Sequence, residues 1–303
     1  MQPGTISRQV TELGQLLDAA RTHTAPDEPT VAHLSRDLLR AYLRDQRARG
    51  ITASIINRVQ TVERFWSWTA VQPAYRDRTP APERISSEIA EPPRTRKPAP
   101  TWSEMDLAVL SARDRRRDAG WYGELFTVAR YTGLRCGQIM RLEWRDISLD
   151  EQLLTIRPEL GKSRQERRGR LIPVSPHLAA YLAGLGRREG RIVHTRRQMA
   201  PNSVILASIY ERSGIRSALW KGSDGRKGRK LHLFRHGLAT NLVADGQNPD
   251  LVRILLGHSA GITLDIYTDS DRLAVTELRT IVAAIPAISE KVTPMQAGVT
   301  AVS

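Results

Sequence analysis

A single cysteine, Cys136, stands in a chain of 303 residues. An internal disulfide is therefore excluded, and a cysteine-based zinc site has too few ligands. No apolar run approaches the ~20 residues that span a bilayer, so no membrane partner is expected. The opening residues, Met1 to Arg8, hold no apolar stretch of the kind that directs secretion, and a cytoplasmic location is the expectation. No GxxxxGK[ST] loop is present to cradle a nucleotide. Nor is there an acidic cluster suited to two metal ions. Lysine is scarce too: only six of the 46 Lys and Arg residues are lysine. What remains is an arginine-dominated chain with 40% apolar residues and a formal net charge of +14. The planar guanidinium offers paired donors that match phosphate oxygens. Such a balance in a foldable chain points to a polyanion, nucleic acid foremost. GC-rich coding explains arginine over lysine but not the excess over acids.

The chain divides by texture. Residues 1–80 predict a small all-α domain with helices over 6–22, 34–48 and 52–70. Val10, Leu13, Leu16, Leu17 and Ala20 form one apolar stripe, and Leu34, Leu38 and Tyr42 another, widened by Leu39 and Leu43. Ile55, Val59, Val62 and Trp66 form a third, which leaves Asn57, Arg58 and Arg64 on a polar face that can meet DNA. Residues 81–100 hold Pro82, Pro92, Pro93, Pro98 and Pro100 among Arg94, Arg96 and Lys97, the mark of an extended, solvated linker. Thr101 and Glu104 are spaced as a capping box that opens a helix. From there to residue 285 the pattern is mainly helical: 120–132, a short helix carrying Ile139 to Trp144, 176–186, 201–213, 232–245, 249–256 and 270–285. Leu153–Ile156 and Arg170–Pro173 read as strands flanking a basic loop from Gly161 to Arg168. A second basic loop runs from Lys221 to Lys230, suited to phosphate contacts. Residues 286–303 form a tail without strong pattern. The fold class expected is mainly α, a small N-terminal helical domain followed by a mostly α domain with a small β-sheet or hairpin.

Chemistry concentrates in one helix. His232, Arg235 and His236 fall at i, i+3 and i+4, so they share a face. Two histidines at i and i+4 can bind zinc, but a metalloprotease helix carries Glu after the first, and Leu233 stands there. Leu256-Gly257-His258 and Tyr267 follow, while Tyr131-Thr132-Gly133-Leu134-Arg135 and Gly161-Lys162 lie upstream. In this order the set resembles the tyrosine recombinase (phage integrase) family over about residues 101–285. The resemblance also extends, less specifically, to the N-terminal helices and linker as that family's core-binding domain.

The resemblance implies a role at each matching position. Arg135 and Arg235 match the two catalytic arginines, and Lys162 the lysine of the hairpin loop. His232 matches the catalytic histidine, His258 the later His/Trp position, and Tyr267 the nucleophile. His236 is read as structural. Independent chemistry agrees: attack on an anionic phosphodiester needs its charge neutralised, the tyrosine hydroxyl needs a base, and the leaving 5′-oxygen needs a proton. No cofactor and no metal are implied. The implied partner is double-stranded DNA, gripped by a basic clamp, with a homotetramer on two DNA sites and accessory DNA-bending proteins as possible companions. The competing readings are a type IB-like topoisomerase and a DNA-binding protein without catalytic activity. One position departs from the pattern: where the family usually has Glu or Asp three residues after its first arginine, this chain has Gln138. An uncharged side chain there implies a weaker buttress for Arg135. The last helix, with Leu273, Val275, Leu278, Ile281 and Val282 apolar, can either dock on a neighbour or pack within its own subunit.

Overall fold

The computed structural model describes residues 3–24, 27–51, 55–89, 98–114, 120–161, 169–195, 201–220, 231–257 and 269–291. It divides into two compact units, Met1–Arg96 and Lys97–Ser303.

In the first unit, α1 (Pro3–His23), α2 (Arg36–Ala48) and α3 (Ile55–Thr69) pack on one another. The Ser35 hydroxyl starts α2 by accepting from Leu38 N at 3.1 Å. Leu16, Leu39, Tyr42, Val59, Val62 and Trp66 fill the core. The apolar stripe expected on α1 is shifted, however. Leu16, Ala19, Ala20 and Glu12 face inward, while Val10 and Leu17 are exposed. Glu12 goes inside because it is paired: its Oε2 accepts from Tyr42 Oη at 2.8 Å and from Arg58 Nη1 at 3.0 Å. This also corrects the expected role of Arg58. Its guanidinium is engaged within the bundle, where it also donates to Gln15 and Gln46, rather than on an open polar face. The unit continues past residue 80. Ile85 and Ile89 join the core, and the Glu63 carboxylate accepts from the backbone N–H groups of Ile85 and Ser86 at 2.7 and 2.8 Å.

The second unit is built from α4 (Trp102–Arg113), α5 (Trp121–Thr132), α6 (Cys136–Ile139), α7 (Pro176–Gly184), α8 (Ser203–Arg212), α9 (Ser217–Trp220), α10 (His232–Ala244), α11 (Pro249–Leu256) and α12 (Asp269–Ala283). An antiparallel sheet, β1 (Ile147–Ser148), β2 (Leu153–Ile156) and β3 (Arg170–Pro173), lies in the order β1-β2-β3. The two longer strands keep the expected bounds, with Leu154 opposite Ile172 and Ile156 opposite Arg170. The third strand, β1, and the 3₁₀ turn that holds Trp144 replace the helical continuation expected after Met140. Thr101 and Glu104 form the expected capping box. Leu278, Ile281 and Val282 of α12 are buried in this unit's own core, so that stretch packs within its own subunit.

A buried ion pair fastens the last described residues. Arg130 Nε donates to Asp106 Oδ1 at 2.9 Å, and its guanidinium lies 4.1 Å from the Trp102 ring. Asp106 Oδ2 and Tyr131 Oη then accept from the backbone N–H groups of Ser289 and Ile288. Burial pushes the Asp106 carboxyl above its usual range and Arg130 below its own, each opposed by the other's charge. Both charges thus carry a large desolvation cost, and removing one strands the other. Asp106→Ala is expected to cost about 3–5 kcal/mol of stability in urea unfolding. The double replacement Asp106→Leu with Arg130→Met should be more stable than either single change. A double variant no better than Asp106→Ala would show that the cost lies in lost packing rather than in the stranded charge.

Candidate functional site

Two helix ends converge to make the site. Helix α5 ends at Gly133, φ +59°, and α11 at Gly257, φ +65°. Both are left-handed C-caps that glycine adopts without strain. Space demands glycine as well. A Cβ on Gly133 would lie 2.5 Å from Leu256 Cδ2 and 2.9 Å from Leu238 Cδ2.

Arg235 joins these ends. It comes from α10, its side chain is buried, and Nη1 donates to the Gly133 carbonyl at 3.0 Å while Nη2 donates to the Leu256 carbonyl at 2.5 Å. Helix C-termini carry partial negative charge and unsatisfied carbonyls, so one guanidinium answers both needs. The arrangement also keeps a permanent positive charge in a low-dielectric setting. Arg135 sits two residues beyond Gly133, half-buried, as the residue that opens α6. The contact between Arg235 and Gly133 therefore brings the two arginines, a hundred residues apart in sequence, to one place.

Gln138 holds the Arg135 turn. It is buried, and its Oε1 accepts from the Arg135 backbone N–H at 3.1 Å. That bond needs an acceptor, not a charge, so the amide supplies the backbone support that an acidic residue would otherwise give. His232 opens α10 and is exposed, whereas His236, one turn on, is half-buried. The face they share thus runs from surface to interior. Lys162, His258 and Tyr267 lie outside the described residues, as do most of the basic loop from Gly161 to Arg168 and the loop from Lys221 to Lys230.

The chain before Gly161 and the end of α11 are each held by an arginine that sequence reasoning passed over. Arg141 Nη1 and Nη2 donate to the carbonyls of Glu159 and Leu160 at 2.9 and 3.1 Å. Arg170 Nη2 donates at 3.2 Å to the same Leu256 carbonyl that Arg235 uses. Its guanidinium fills the space over Gly257, where a Cβ would lie 1.2 Å from Nη1. No local signal marks either residue, since each acts on chain that is distant in sequence.

The other six tyrosines are accounted for. Tyr42 donates to Glu12, Tyr122 accepts from Asn202 N, and Tyr131 accepts from Ile288 N. Tyr210 is buried, with its hydroxyl pushed up by desolvation, and burial also raises Tyr181. Tyr75 belongs to the first unit, its ring 6.0 Å from that of Trp68.

This geometry has counterparts. Tyrosine recombinase XerC of Xanthomonas campestris pv. campestris (strain B100) is 26% identical over 260 residues, covering 82% of this chain and 74% of that protein. A lambda integrase (75-356) dimer bound to a COC′ core site has the same fold at a TM-score of 0.58 and 16% identity, covering 88% of this chain and 93% of that one. A lambda integrase tetramer bound to a Holliday junction superposes at a TM-score of 0.60 with 16% identity, over 88% and 76% of the two chains. The family model described as "Phage integrase family" matches residues 108–273. That span takes in both arginines, both glycine caps and the segment through Tyr267, and it is more than half of the sequence: the chain belongs to the phage integrase family.

Proposed function

We propose that this chain is a site-specific DNA recombinase that cuts and rejoins duplex DNA through a covalent tyrosine intermediate. The observation that carries the reading is Arg235, buried and bonded to the Gly133 carbonyl two residues before Arg135. Two permanent cations so placed suit one phosphate, whose charge they neutralise most as it builds in the transition state. Family membership, the 26% identity to a tyrosine recombinase and the +14 charge support it.

The roles follow from the chemistry. Tyr267 Oη attacks phosphorus and gives its proton to His232, whose exposed position suits contact with DNA. A bond forms between Oη and phosphorus, and the bond from phosphorus to the 5′-oxygen breaks. Lys162 protonates that oxygen, and His258 adds a hydrogen bond to the phosphate. The 3′-phosphotyrosyl bond stores the energy, so no nucleotide and no cofactor are required. Attack by the 5′-hydroxyl of a second duplex reverses the step and exchanges strands. Lambda integrase, a structural neighbour, has been solved as a dimer and a tetramer on DNA, and a homotetramer on two duplexes is proposed here by analogy. The residues 1–80 domain and the linker are proposed as the second half of a basic clamp, and the cytoplasm as the place of action.

The test uses random-sequence duplexes incubated with the full chain, then denatured and digested. Sequencing the DNA left on a Tyr267 peptide gives the site. Two labelled duplexes that carry it should exchange strands. Relaxation of supercoils without exchange would instead mark a type IB-like topoisomerase, and DNA binding without any adduct would mark a protein that only binds.

A further inference from the structure

Two arginines meet on one oxygen at the end of α11. Leu256 is the last residue of that helix, and Gly257 turns the chain away in the left-handed region. Carbonyls in the last turn of a helix find no partner within it. That of Leu256 accepts from Arg235 Nη2 at 2.5 Å and from Arg170 Nη2 at 3.2 Å, one donor for each lone pair. Arg235 reaches it from α10. Arg170 reaches it from β3, where its backbone pairs with Ile156 of β2. The second contact depends on a missing side chain. A Cβ on Gly257 would lie 1.2 Å from Arg170 Nη1 and 2.3 Å from its Cζ. One donor would satisfy this carbonyl. A second cation beside the first costs Coulomb energy, offset in part by the negative end of α11.

We propose that Arg170 is a positioning residue for the cleavage reaction: it fixes the Leu256 carbonyl and, through it, the aim of the Arg235 guanidinium. The argument is geometric. A planar guanidinium held at one corner can swing about that bond. Held at two corners, its plane is set, and so is the direction of every other N–H it carries. The corner at Gly133 is secured by packing, since the space over that glycine is filled by Leu238 and Leu256. The corner at Leu256 stands at a helix end, and helix ends fray. Arg170 ties this end to the sheet, through a strand whose Ile172 is buried in the core. A swing that displaces the Arg235 donors by about 1 Å costs on the order of a hundredfold in rate. The end of α11 is therefore worth holding from a second side.

This inference rests on the recombinase reading, and its test separates the two. The full chain and its variants are compared in single-turnover cleavage of the duplex recovered with the wild type. Protein is saturating, and the temperature is one at which circular dichroism shows every variant folded. Arg170→Met keeps a long side chain but no donor, and should slow cleavage at least about tenfold. DNA affinity should stay within about threefold of the wild type, other phosphate contacts being unchanged. Arg170→Lys should recover part of the rate, because an ammonium can still donate to one carbonyl. In the Arg235→Ala background, Arg170→Met should change the rate by less than about twofold, since the group through which it acts is gone. Losses that multiply in the double variant would overturn the proposal, as would Arg170→Met cleaving at the wild-type rate. A wild-type chain that forms no adduct on any duplex sinks the recombinase reading. Normal wild-type cleavage with multiplying losses sinks the positioning role alone. A second readout needs no DNA. Nitrogen NMR of the arginine side chains follows rotation of the Arg235 guanidinium, which two carbonyls restrain. Arg170→Met should speed that rotation. Rotation at the wild-type rate would deny the link between Arg170 and Arg235, whether or not the chain cuts DNA.

Discussion

Tyr267→Phe is expected to abolish the covalent adduct while leaving DNA affinity within about threefold of the wild type, the change being one hydroxyl among many phosphate contacts. The loss should be complete rather than partial, because no other tyrosine is placed to substitute. Tyr42, Tyr122, Tyr131 and Tyr210 are buried, Tyr181 is half-buried with the Arg113 guanidinium over its ring, and Tyr75 belongs to the N-terminal unit. A protease digest of the trapped complex should therefore yield DNA on one peptide from the wild type and none from the variant. Adduct at full yield in Tyr267→Phe would remove Tyr267 as the nucleophile and reopen the assignment of the whole constellation.

The second large effect belongs to Arg235, and it weighs more on the fold than that of Arg135. Either alanine should slow cleavage at least about a hundredfold, the scale for losing a donor that works in the transition state. Arg235→Ala should also unsettle the fold, and more than Arg135→Ala does. It strands the buried carbonyl of Gly133, at a cost of about 1–3 kcal/mol, and leaves that of Leu256 to Arg170 alone. The melting temperature should drop by about 2–4 °C per kcal/mol in a unit of this size. Arg135 is half-buried where Arg235 is buried, so Arg135→Ala should cost less stability than Arg235→Ala. Arg235→Lys can keep one of the two carbonyl bonds but not the forked pair. It should therefore recover part of the stability and little of the rate. Equal melting temperatures for Arg135→Ala and Arg235→Ala would contradict the bridging role of Arg235.

Local chemistry was legible in the sequence where it is locally enforced. Strands β2 and β3 stand at the bounds their apolar residues and Pro173 predicted, and α10 begins at His232 as expected. Thr101 and Glu104 announce a helix start because the cap needs only four neighbouring residues. The failures share another cause. Val10 and Leu17 looked like core by spacing, but the choice of face on α1 was decided by the pairing of Glu12 with Tyr42 and Arg58, thirty and more residues away. Nothing singled out Arg141 or Arg170, because their partners are backbone carbonyls, which have no sequence identity. Strand β1, two residues long, is too short for alternation to register. Gln138 was visible as a departure, yet its sense was not. The geometry assigns it a bond that asks for an oxygen atom, and an amide oxygen serves.

The bonds of Arg235 also bear on when the protein becomes able to cut DNA. Its partners lie 102 and 21 residues away, and the bond from Arg170 to Leu256 closes a loop of 86 residues. Contacts of such long sequence separation form only after loop closure has been offset by other packing, which places them late in folding. A chain emerging from the ribosome carries Arg135 long before Arg235 and Leu256. The carbonyl that aligns Arg235 does not exist until residue 256 has been made, and Tyr267 comes later still. The arrangement proposed to cut DNA is thus withheld from every incomplete form of the chain.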